Sequence, residues 1–331
     1  MALLLAAPDK FRGTLTAREA AAAIAAGAER AGWTAVELPL ADGGEGTLDV
    51  LGGGNQRAIV TGPLGEPVEA ALRLEDDDTA LIEAALACGL SLAGGPEGND
   101  PLRATSRGVG ELIAAALAEG SDRIVVTVGG AASTDGGLGA VDELRASLPL
   151  PVQLDVACDV DARFLDAADV FAPQKGATPE QVLLLSMRLE QLAERYRDEF
   201  GVDVLDLPGA GAAGGLAGGL AAIGGRLLTG FDLVASRLGL DERFAEADLV
   251  VTGEGSIDAT SFTGKVVGQV LARAAAAGVE TLVVAGDIAA GSPFDALSLV
   301  ARYGPERALA EPAECLTELV ASALATRRNG P

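Results

Sequence analysis

The sequence contains no histidine among its 331 residues. This absence excludes Ser-His-Asp and Cys-His nucleophilic catalysis, most zinc sites and the facial iron triad, because all of these need an imidazole. Acid-base chemistry must therefore use Asp, Glu, Lys or Tyr. Oxygen coordination of an ion such as Mg²⁺ is the metal site that remains easy to build.

Basic residues are also scarce, since 24 Lys and Arg face 48 Asp and Glu and give a formal net charge of -24. DNA, RNA and anionic membranes select clusters of Lys and Arg, so the charge balance argues against all three as partners. A small molecule is the expected partner. An acidic composition with few aromatic residues, here 3%, also occurs throughout the proteomes of some organisms. It does not by itself indicate a mechanism.

Cysteine and long apolar runs are limited too. The three cysteines, Cys88, Cys158 and Cys315, are far apart and odd in number, which is typical of reduced thiols in a cytosolic protein. No run reaches about 18 uninterrupted apolar residues, and the opening "MALLLAAPDKFRG" is too short for a signal peptide. We therefore expect a soluble, cytoplasmic protein, with a homodimer among the open alternatives for its assembly.

Short apolar runs that end in glycine-rich loops and lead into Ala/Leu-rich stretches are what the sequence does have: "LLLAAP", "RIVVTVGG", "ADLVVTGEG" and "TLVVAGD". Near-continuous Val, Ile and Leu predict parallel strands covered on both faces, and hence an α/β fold. Thr16, with Glu19 three residues later and Gly32 at the end, predicts a capped crossover helix.

Two stretches interrupt this parallel rhythm. Extended pieces around Gly62 and Gly65 predict hairpins, and residues 141–235 contain a charged helix near 179–199 and a Gly/Ala tract. We therefore predict a parallel-sheet domain from residues 1–54, 102–140 and 236–331, with a second α/β domain, residues 55–101 and 141–235, inserted into it. The active site is expected in the cleft between them.

Four glycine-rich loops after predicted strands each carry acids. Open parallel sheets bind ligands at the carboxyl ends of their strands, where glycine lets backbone N–H groups approach phosphate and carboxylates can hold Mg²⁺. A plain strand-to-helix turn explains any single loop, but four of one character favour phosphoryl transfer. The acids are Asp42 and Glu45 in "ADGGEGT", Asp135 in "GGAASTDGG", Asp159 and Asp161 in "ACDVD", and Glu254 and Asp258 in "TGEGSID".

Every lysine of the chain lies beside glycine or in a predicted strand-exit loop. Lys10, Lys175 and Lys265 are the only ones. This placement favours binding of phosphate or carboxylate over solubility, although a preference for Arg over Lys across a proteome would also give it.

Two familiar nucleotide-binding signatures, the Walker pattern and the dinucleotide fingerprint, give little support for a nucleotide site of either kind. The Walker pattern is absent, because Ala259 stands where the first glycine should be and Val266 follows Lys265. "GAGAAG" at 209–214 matches the dinucleotide fingerprint, and "VDVLDLP" before it could be a strand, so a nicotinamide-dependent oxidoreductase stays open as a weaker alternative. A tight helix start explains the glycines equally well.

Taken together, the loops resemble bacterial glycerate kinases of the glycerate 2-kinase family. The likeness runs in the family's order through "APDKFRGTLTA", "LPLADGGEGT", "ATSRGVGELI", "GGAASTDGG", "CDVD", "FAPQKGATPEQ" and "PGAGAAGGL" to "ADLVVTGEGSID". It implies two α/β domains, one Rossmann- or flavodoxin-like with the second, distinct one inserted. It also implies transfer of the γ-phosphoryl group of ATP to D-glycerate, giving 2-phosphoglycerate, with Mg²⁺ as cofactor.

The resemblance and the loops together give a set of candidate residues. As catalytic residues we predict Asp135, as acceptor of the substrate hydroxyl proton, with Lys10, Arg12 and Asp258. For Mg²⁺ we predict Glu254 and Asp258. Contacts with substrate or nucleotide are predicted for Asp42, Gly43, Gly44, Glu45, Gly46, Thr47, Ser106, Gly129, Gly130, Ser133, Thr134, Gln174, Lys175, Gly211 and Lys265.

The chain departs from the family pattern at three of these motifs. Ser256 stands where family members usually have Arg, Ala131 where they have Ser, and Arg12 where they have Lys, and the stretch between Gly139 and Phe171 is shortened. Loss of a bidentate arginine contact would cost about 1.5–3 kcal/mol of binding. A differently specific or non-catalytic ligand-binding relative of the kinase is therefore the main alternative.

Overall fold

A computed structural model describes residues 2–11, 13–158, 161–258, 265–289 and 296–328. The chain divides into two compact units. Met1–Asp42 and Phe231–Pro331 form the first, which we call the discontinuous unit, and Gly43–Gly230 form the second, the inserted unit.

Strands and helices alternate along most of the described chain. The strands are β1 (Leu3–Ala6), β2 (Thr34–Glu37), β3 (Gln56–Thr61), β4 (Pro67–Leu74), β5 (Thr79–Glu83), β6 (Arg123–Thr127), β7 (Gln153–Cys158), β8 (Arg226–Thr229), β9 (Leu249–Ile257), β10 (Glu280–Ile288) and β11 (Ala296–Ser298). The α-helices are α1 (Ala17–Arg30), α2 (Thr47–Val50), α3 (Ala85–Cys88), α4 (Gly95–Gly98), α5 (Arg107–Ala118), α6 (Leu138–Leu144), α7 (Pro179–Phe200), α8 (Leu216–Ala222), α9 (Gly230–Leu238), α10 (Leu240–Glu246), α11 (Val266–Ala277), α12 (Leu299–Tyr303), α13 (Pro305–Ala310) and α14 (Pro312–Arg328). The predicted α/β class is confirmed.

The discontinuous unit is built on a five-stranded sheet in the order β11-β10-β9-β1-β2, in which all neighbours are parallel. From β1 the chain passes through α1 to β2 on one side, whereas β9 lies on the other side of β1 and continues through α11 to β10. The direction of the connections therefore reverses between β1 and β9. In open α/β sheets this reversal opens a crevice at the carboxyl ends of the two strands.

Helix α1 shows how local sequence fixes an element of this unit. Thr16 and Glu19 form a complete capping box, with the side chain of each accepting a hydrogen bond from the backbone N–H of the other, as the sequence predicts. On its buried face, a Cβ on Gly27 would lie 2.6 Å from the carbonyl oxygen of Thr317 in α14. The absent side chain thus lets α1 and α14 pack closely.

The inserted unit is built on a six-stranded sheet in the order β3-β4-β5-β6-β7-β8. Strands β3 to β5 pair antiparallel, and β5 to β8 pair parallel. The hairpin predicted around Gly62 and Gly65 is confirmed, since it joins β3 to β4 with Gly65 at φ 98°. A charged helix predicted near 179–199 is also confirmed as α7, which begins after the capping residue Thr178.

The structure divides the chain differently from the sequence-based division at residues 43–54, 102–140 and 231–235. The main correction concerns β6, the strand in "RIVVTVGG", which lies between β5 and β7 in the six-stranded sheet rather than in the five-stranded one. Buried parallel strands in both sheets have the same Val/Ile/Leu composition, so composition does not tell which sheet a strand joins.

A buried carboxylate ties the parallel strands of the inserted unit together. Asp155 on β7 has no exposed side-chain surface and accepts hydrogen bonds from Arg123 on β6 at 2.6 Å and Arg226 on β8 at 3.0 Å. Burial opposes ionisation of this carboxyl, but the hydrogen bonds from Arg226 and Arg123 outweigh it and lower the pKa of Asp155 below its ordinary value. Along the described stretches, no helix is both long and apolar enough to cross a membrane.

Candidate active site

The loop after β1 runs along β9 at the point where the strand connections reverse. The backbone N–H of Ala7 donates to the carbonyl of Val251 at 2.8 Å, and that of Asp9 donates to the carbonyl of Gly253 at 2.9 Å. These bonds extend the pairing beyond the end of β1. They hold Asp9 at the carboxyl end of the sheet, where ligands of open α/β sheets bind.

Asp9 is a buried carboxylic acid, with 8% of its surface exposed. Desolvation is the largest influence on it, and the negative charges of Asp42 and Glu254 add to it, while Lys10 acts in the opposite direction. Together they raise the pKa of Asp9 from 3.8 to about 7. A carboxyl that titrates near neutrality in a crevice is a marker of functional sites.

Three residues predicted from the sequence thus influence the pKa of the same carboxyl group, and they are Lys10, Asp42 and Glu254. The central group, Asp9, was not predicted. An aspartate between Pro8 and Lys10 after a strand has the composition of an ordinary turn. Its position directly before a lysine in a strand-exit loop was the signal that could have revealed it.

Helix α11 follows β9 and begins with Lys265 in the N-cap position, where the side chain makes no capping hydrogen bond. Its first turn carries no acidic residue. By contrast, α1 and α7 are capped by their own Thr side chains. The N-terminal end of α11, with a lysine beside it, therefore has the charge and the donors that bind anions. Asp258 is half-buried and Ser256 exposed, while the predicted residue Arg12 lies outside the described residues.

The "ADGGEGT" loop belongs mainly to the inserted unit, and a residue that sequence reasoning missed holds it in place. Glu83, at the end of β5 and 3% exposed, accepts hydrogen bonds from the backbone N–H groups of Gly46 and Leu48, both at 2.9 Å. Thr47 Oγ1 donates to the carbonyl of Gly44 at 2.7 Å. Glu83 therefore serves as the anion at the start of α2, and only the fold brings it there from 37 residues away.

The glycines of this loop permit close approach of two backbones. A Cβ on Gly129 would lie 2.6 Å from the Cα of Gly44, and one on Gly43 would lie 2.8 Å from the Cα of Gly230. Gly130, at φ 67°, has the carboxylate of Glu45 nearby. The structure thus brings the predicted loops at 43–47 and 129–135 together, and any side chain at Gly129 would separate them.

Asp135 has both carboxylate oxygens engaged. Its Oδ2 accepts from the backbone N–H and the hydroxyl of Ser106, both at 2.8 Å, and from the N–H of Gly139 at 3.2 Å. Its Oδ1 accepts from the N–H of Gly137 at 3.2 Å. These bonds fix the "STDGG" turn at the start of α6 and join it to the start of α5. Ser106 itself is buried.

Lys175 is buried, and its Nζ donates to the carbonyl of Ser133 at 2.5 Å. Burial lowers the pKa of Lys175 to about 8, and Cys88 and Asp135 act against that lowering. In the described part of the chain, the buried hydroxyls of Ser133 and Thr134 find no hydrogen-bond partner. The loop is therefore held by a lysine, and two of its own polar groups remain to be satisfied.

Gln174, Gly211, Asp159 and Asp161 are the remaining predicted residues of the inserted unit. Gln174 is exposed. A Cβ on Gly211 would lie 2.2 Å from the carbonyl oxygen of Arg163, so backbone packing requires that glycine. Asp161 is exposed, and Asp159 falls outside the described residues. The dinucleotide fingerprint at 209–214 loses its structural context, because the residues before it form no strand and lead through turns into α8.

A cavity of about 600 Å³ adjoins the Asp135 turn. Leu138 of α6 and Leu185, Leu189 and Leu192 of α7 supply apolar walls, and Thr134 and Asp135 also line it. Over the described residues, no group of three or more Asp, Glu or Cys side chains is arranged to hold a metal ion. The predicted Mg²⁺ ligands Glu254 and Asp258 thus belong to no side-chain metal cage there.

Comparison with known proteins relates the chain to a family. A model of the glycerate kinase family matches residues 4–149 and 149–318. An uncharacterized protein of Mycobacterium bovis is 44% identical over 301 residues, covering 86% of this chain and 79% of that protein. Glycerate 2-kinase of Escherichia coli is 39% identical over 303 residues, covering 80% of this chain and 79% of the enzyme.

A solved structure extends the likeness to the whole fold. The crystal structure of a candidate glycerate kinase 2 from Salmonella typhimurium LT2 superposes with a TM-score of 0.82 at 35% identity, covering 99% of both chains. The resemblance stated from the sequence motifs is thereby confirmed. The chain belongs to the glycerate kinase family.

Proposed function

We propose that the chain transfers the γ-phosphoryl group of ATP to a hydroxyl of D-glycerate, giving 2-phosphoglycerate and ADP. The observation that carries this proposal is that the glycerate kinase family model spans both units, with matches at residues 4–149 and 149–318. Phosphoryl transfer needs positioning and charge neutralisation more than covalent chemistry by the protein. A chain without histidine can supply both.

In the discontinuous unit, the start of α11, where the N-cap side chain makes no capping hydrogen bond, and Lys265 support a phosphate site, since helix N-termini and lysines both bind phosphate oxygens. Lys10, beside Asp9 in the crevice, supplies a second positive charge for the phosphate oxygens. We propose that these two lysines hold the transferring phosphoryl group.

In the inserted unit, the closely packed loops at 43–47 and 129–135 support ligand binding. The unsatisfied hydroxyls of Ser133 and Thr134 can donate hydrogen bonds. After a small rotation of these side chains, an oxygen of a bound ligand, or a water molecule that the ligand displaces, would accept them. Among the catalytic roles predicted from sequence, that of Asp135 fits the geometry least, because four donors already occupy its carboxylate.

Mg²⁺ commonly reaches a kinase bound to nucleotide phosphates, with one or two protein carboxylates and several waters completing its shell. The proposal therefore leaves the ion with ATP, where it would neutralise phosphate charge, rather than in a side-chain cage. A cytoplasmic location is part of the proposal, since Cys88, Cys158 and Cys315 are buried and form no disulfide with one another.

The test is a coupled ADP-release assay with ATP and Mg²⁺ and a panel of D-glycerate, L-glycerate and other small hydroxy acids. ³¹P NMR of the product distinguishes phosphorylation at the 2-position from that at the 3-position. We expect turnover with D-glycerate and a 2-phosphate signal. If a different acid is preferred, the assignment of D-glycerate as the substrate is wrong. If a 3-phosphate signal appears, the assignment of 2-phosphoglycerate as the product is wrong.

A non-catalytic, ligand-binding relative is the second candidate. It is favoured by Ser256, which is exposed on β9 where the family usually has an arginine, and by Ala131. This alternative predicts that ATP raises the melting temperature while no ADP is released with any acid of the panel.

A further inference from the structure

If the chain has the proposed kinase activity, on which this inference rests, one of its groups takes the proton when the substrate hydroxyl reacts. A carboxylate can do this only if one of its oxygens is available to the substrate. The described carboxylates in the candidate loops differ in this respect. Glu83 and Asp135 accept hydrogen bonds from backbone N–H groups through both of their oxygens.

Asp9 is different. Its Oδ1 accepts a hydrogen bond from the backbone N–H of Lys10 at 2.7 Å, which orients the carboxyl group. Within the described part of the chain, Oδ2 accepts no hydrogen bond. Its backbone is held at the same time by the bond to the carbonyl of Gly253. Asp9 is therefore a fixed carboxyl group with one available oxygen.

The topology places Asp9 at the carboxyl ends of the strands, where open α/β sheets bind their ligands. Asp9 follows β1 at the reversal of strand order, and the neighbouring strand, β9, leads to the start of α11 beside Lys265. We propose that Asp9, through Oδ2, accepts the proton of the substrate hydroxyl in the phosphoryl transfer.

The step balances without a further reactant. The O–H bond of the acid's hydroxyl breaks and its proton moves to Asp9, while the hydroxyl oxygen forms a bond to the γ-phosphorus. The bond from that phosphorus to the bridging oxygen breaks, and its electron pair leaves with ADP. Asp9 then returns the proton to water.

The electrostatics fit this role. The charged groups that act on Asp9 are Lys10 in its own loop, Asp42 after β2 and Glu254 on β9. Two of these three are negative, and burial adds to their effect, so the carboxylate binds a proton more readily than an exposed aspartate does. A pKa raised to about 7 brings the titration of Asp9 close to neutral pH, which suits a general base.

The experiment compares Asp9→Asn with Asp135→Asn in the full chain at pH 8. Asp9→Asn keeps the size of the side chain and the oxygen that accepts from Lys10. We expect kcat to fall by ~10²-fold or more, since a general base contributes ~10²–10⁴-fold, with the KM for ATP within about threefold of wild type. Asp135→Asn should instead lower the melting temperature and raise KM more than it lowers kcat. Circular dichroism establishes that each variant is folded.

A second readout separates a base from a merely structural residue. In the wild type, kcat/KM should rise with pH through about 7, and the residual activity of Asp9→Asn should lack this rise. Asp9→Glu, which keeps the carboxylate, should recover part of the activity and retain a rising limb.

The outcomes are distinct. If folded Asp9→Asn keeps kcat within about threefold of wild type, or if the wild-type profile is flat from pH 6 to 8, Asp9 is not the base although the kinase activity stands. If the wild type itself releases no ADP with any acid of the panel, the proposed function fails, and the assignment of Asp9 fails with it.

Discussion

Replacing Asp9 with asparagine should stabilise the protein at alkaline pH while it removes activity. Burial and two negative neighbours raise the pKa of Asp9 from 3.8 to about 7. The folded state therefore binds this proton more tightly than the unfolded state does. For such a group, stability is highest below the unfolded pKa, falls as pH rises from about 4 to about 7, and stays low above that window.

The size of the effect follows from the two pKa values. Each pKa unit corresponds to about 1.4 kcal/mol, so the ionised carboxylate lowers the free energy of unfolding by about 4 kcal/mol at pH 8 and by about 2 kcal/mol at pH 5. Asparagine does not ionise. The stability difference between Asp9→Asn and wild type should therefore grow by about 2–3 kcal/mol between pH 5 and pH 8.

Urea unfolding at pH 5 and pH 8, followed by far-UV circular dichroism, measures this difference. Asp76→Asn is the matched control, because Asp76 is exposed in the turn between β4 and β5, and its substitution should leave the pH dependence as in the wild type. The reasoning is refuted if Asp9→Asn shows the wild-type pH dependence, since Asp9 would then be no more costly to ionise in the folded state than in the unfolded one.

Three further substitutions test the loops of the inserted unit. Glu83→Gln should destabilise by about 1–3 kcal/mol, because one of the two N–H groups at the start of α2 would face an amide –NH₂, and an unchanged melting temperature would contradict this. Gly129→Ala should lower kcat/KM by at least ~10-fold, since its Cβ would lie 2.6 Å from the Cα of Gly44, and a rate of ADP release equal to that of wild type would contradict this. Lys175→Met should remove a gain in stability that wild type shows between about pH 8 and 10.5, because burial lowers the pKa of Lys175 and the unfolded state then holds more protons in that window. Urea midpoints that rise equally in both proteins would argue against it.

The class of fold and many local features follow from the sequence alone. Capping residues such as Thr16 and Thr178 act within one helical turn, and the Gly62–Gly65 turn acts within one hairpin, so short-range chemistry is sufficient to predict them. The same holds for the glycine-rich strand ends. Their residue types alone indicate a backbone that can approach a phosphate.

Long-range contacts determine which strands share a sheet and which side chains lie close together. Strand β6 joins the inserted unit through hydrogen bonds to β5 and β7, a choice that its apolar composition does not encode. Glu83 reaches the start of α2 only through the fold. The difference between Asp135 and Asp9 likewise depends on groups that the fold brings near. Ser106 donates two hydrogen bonds to Asp135 from 29 residues away, whereas burial and the charges of Asp42 and Glu254 raise the pKa of Asp9.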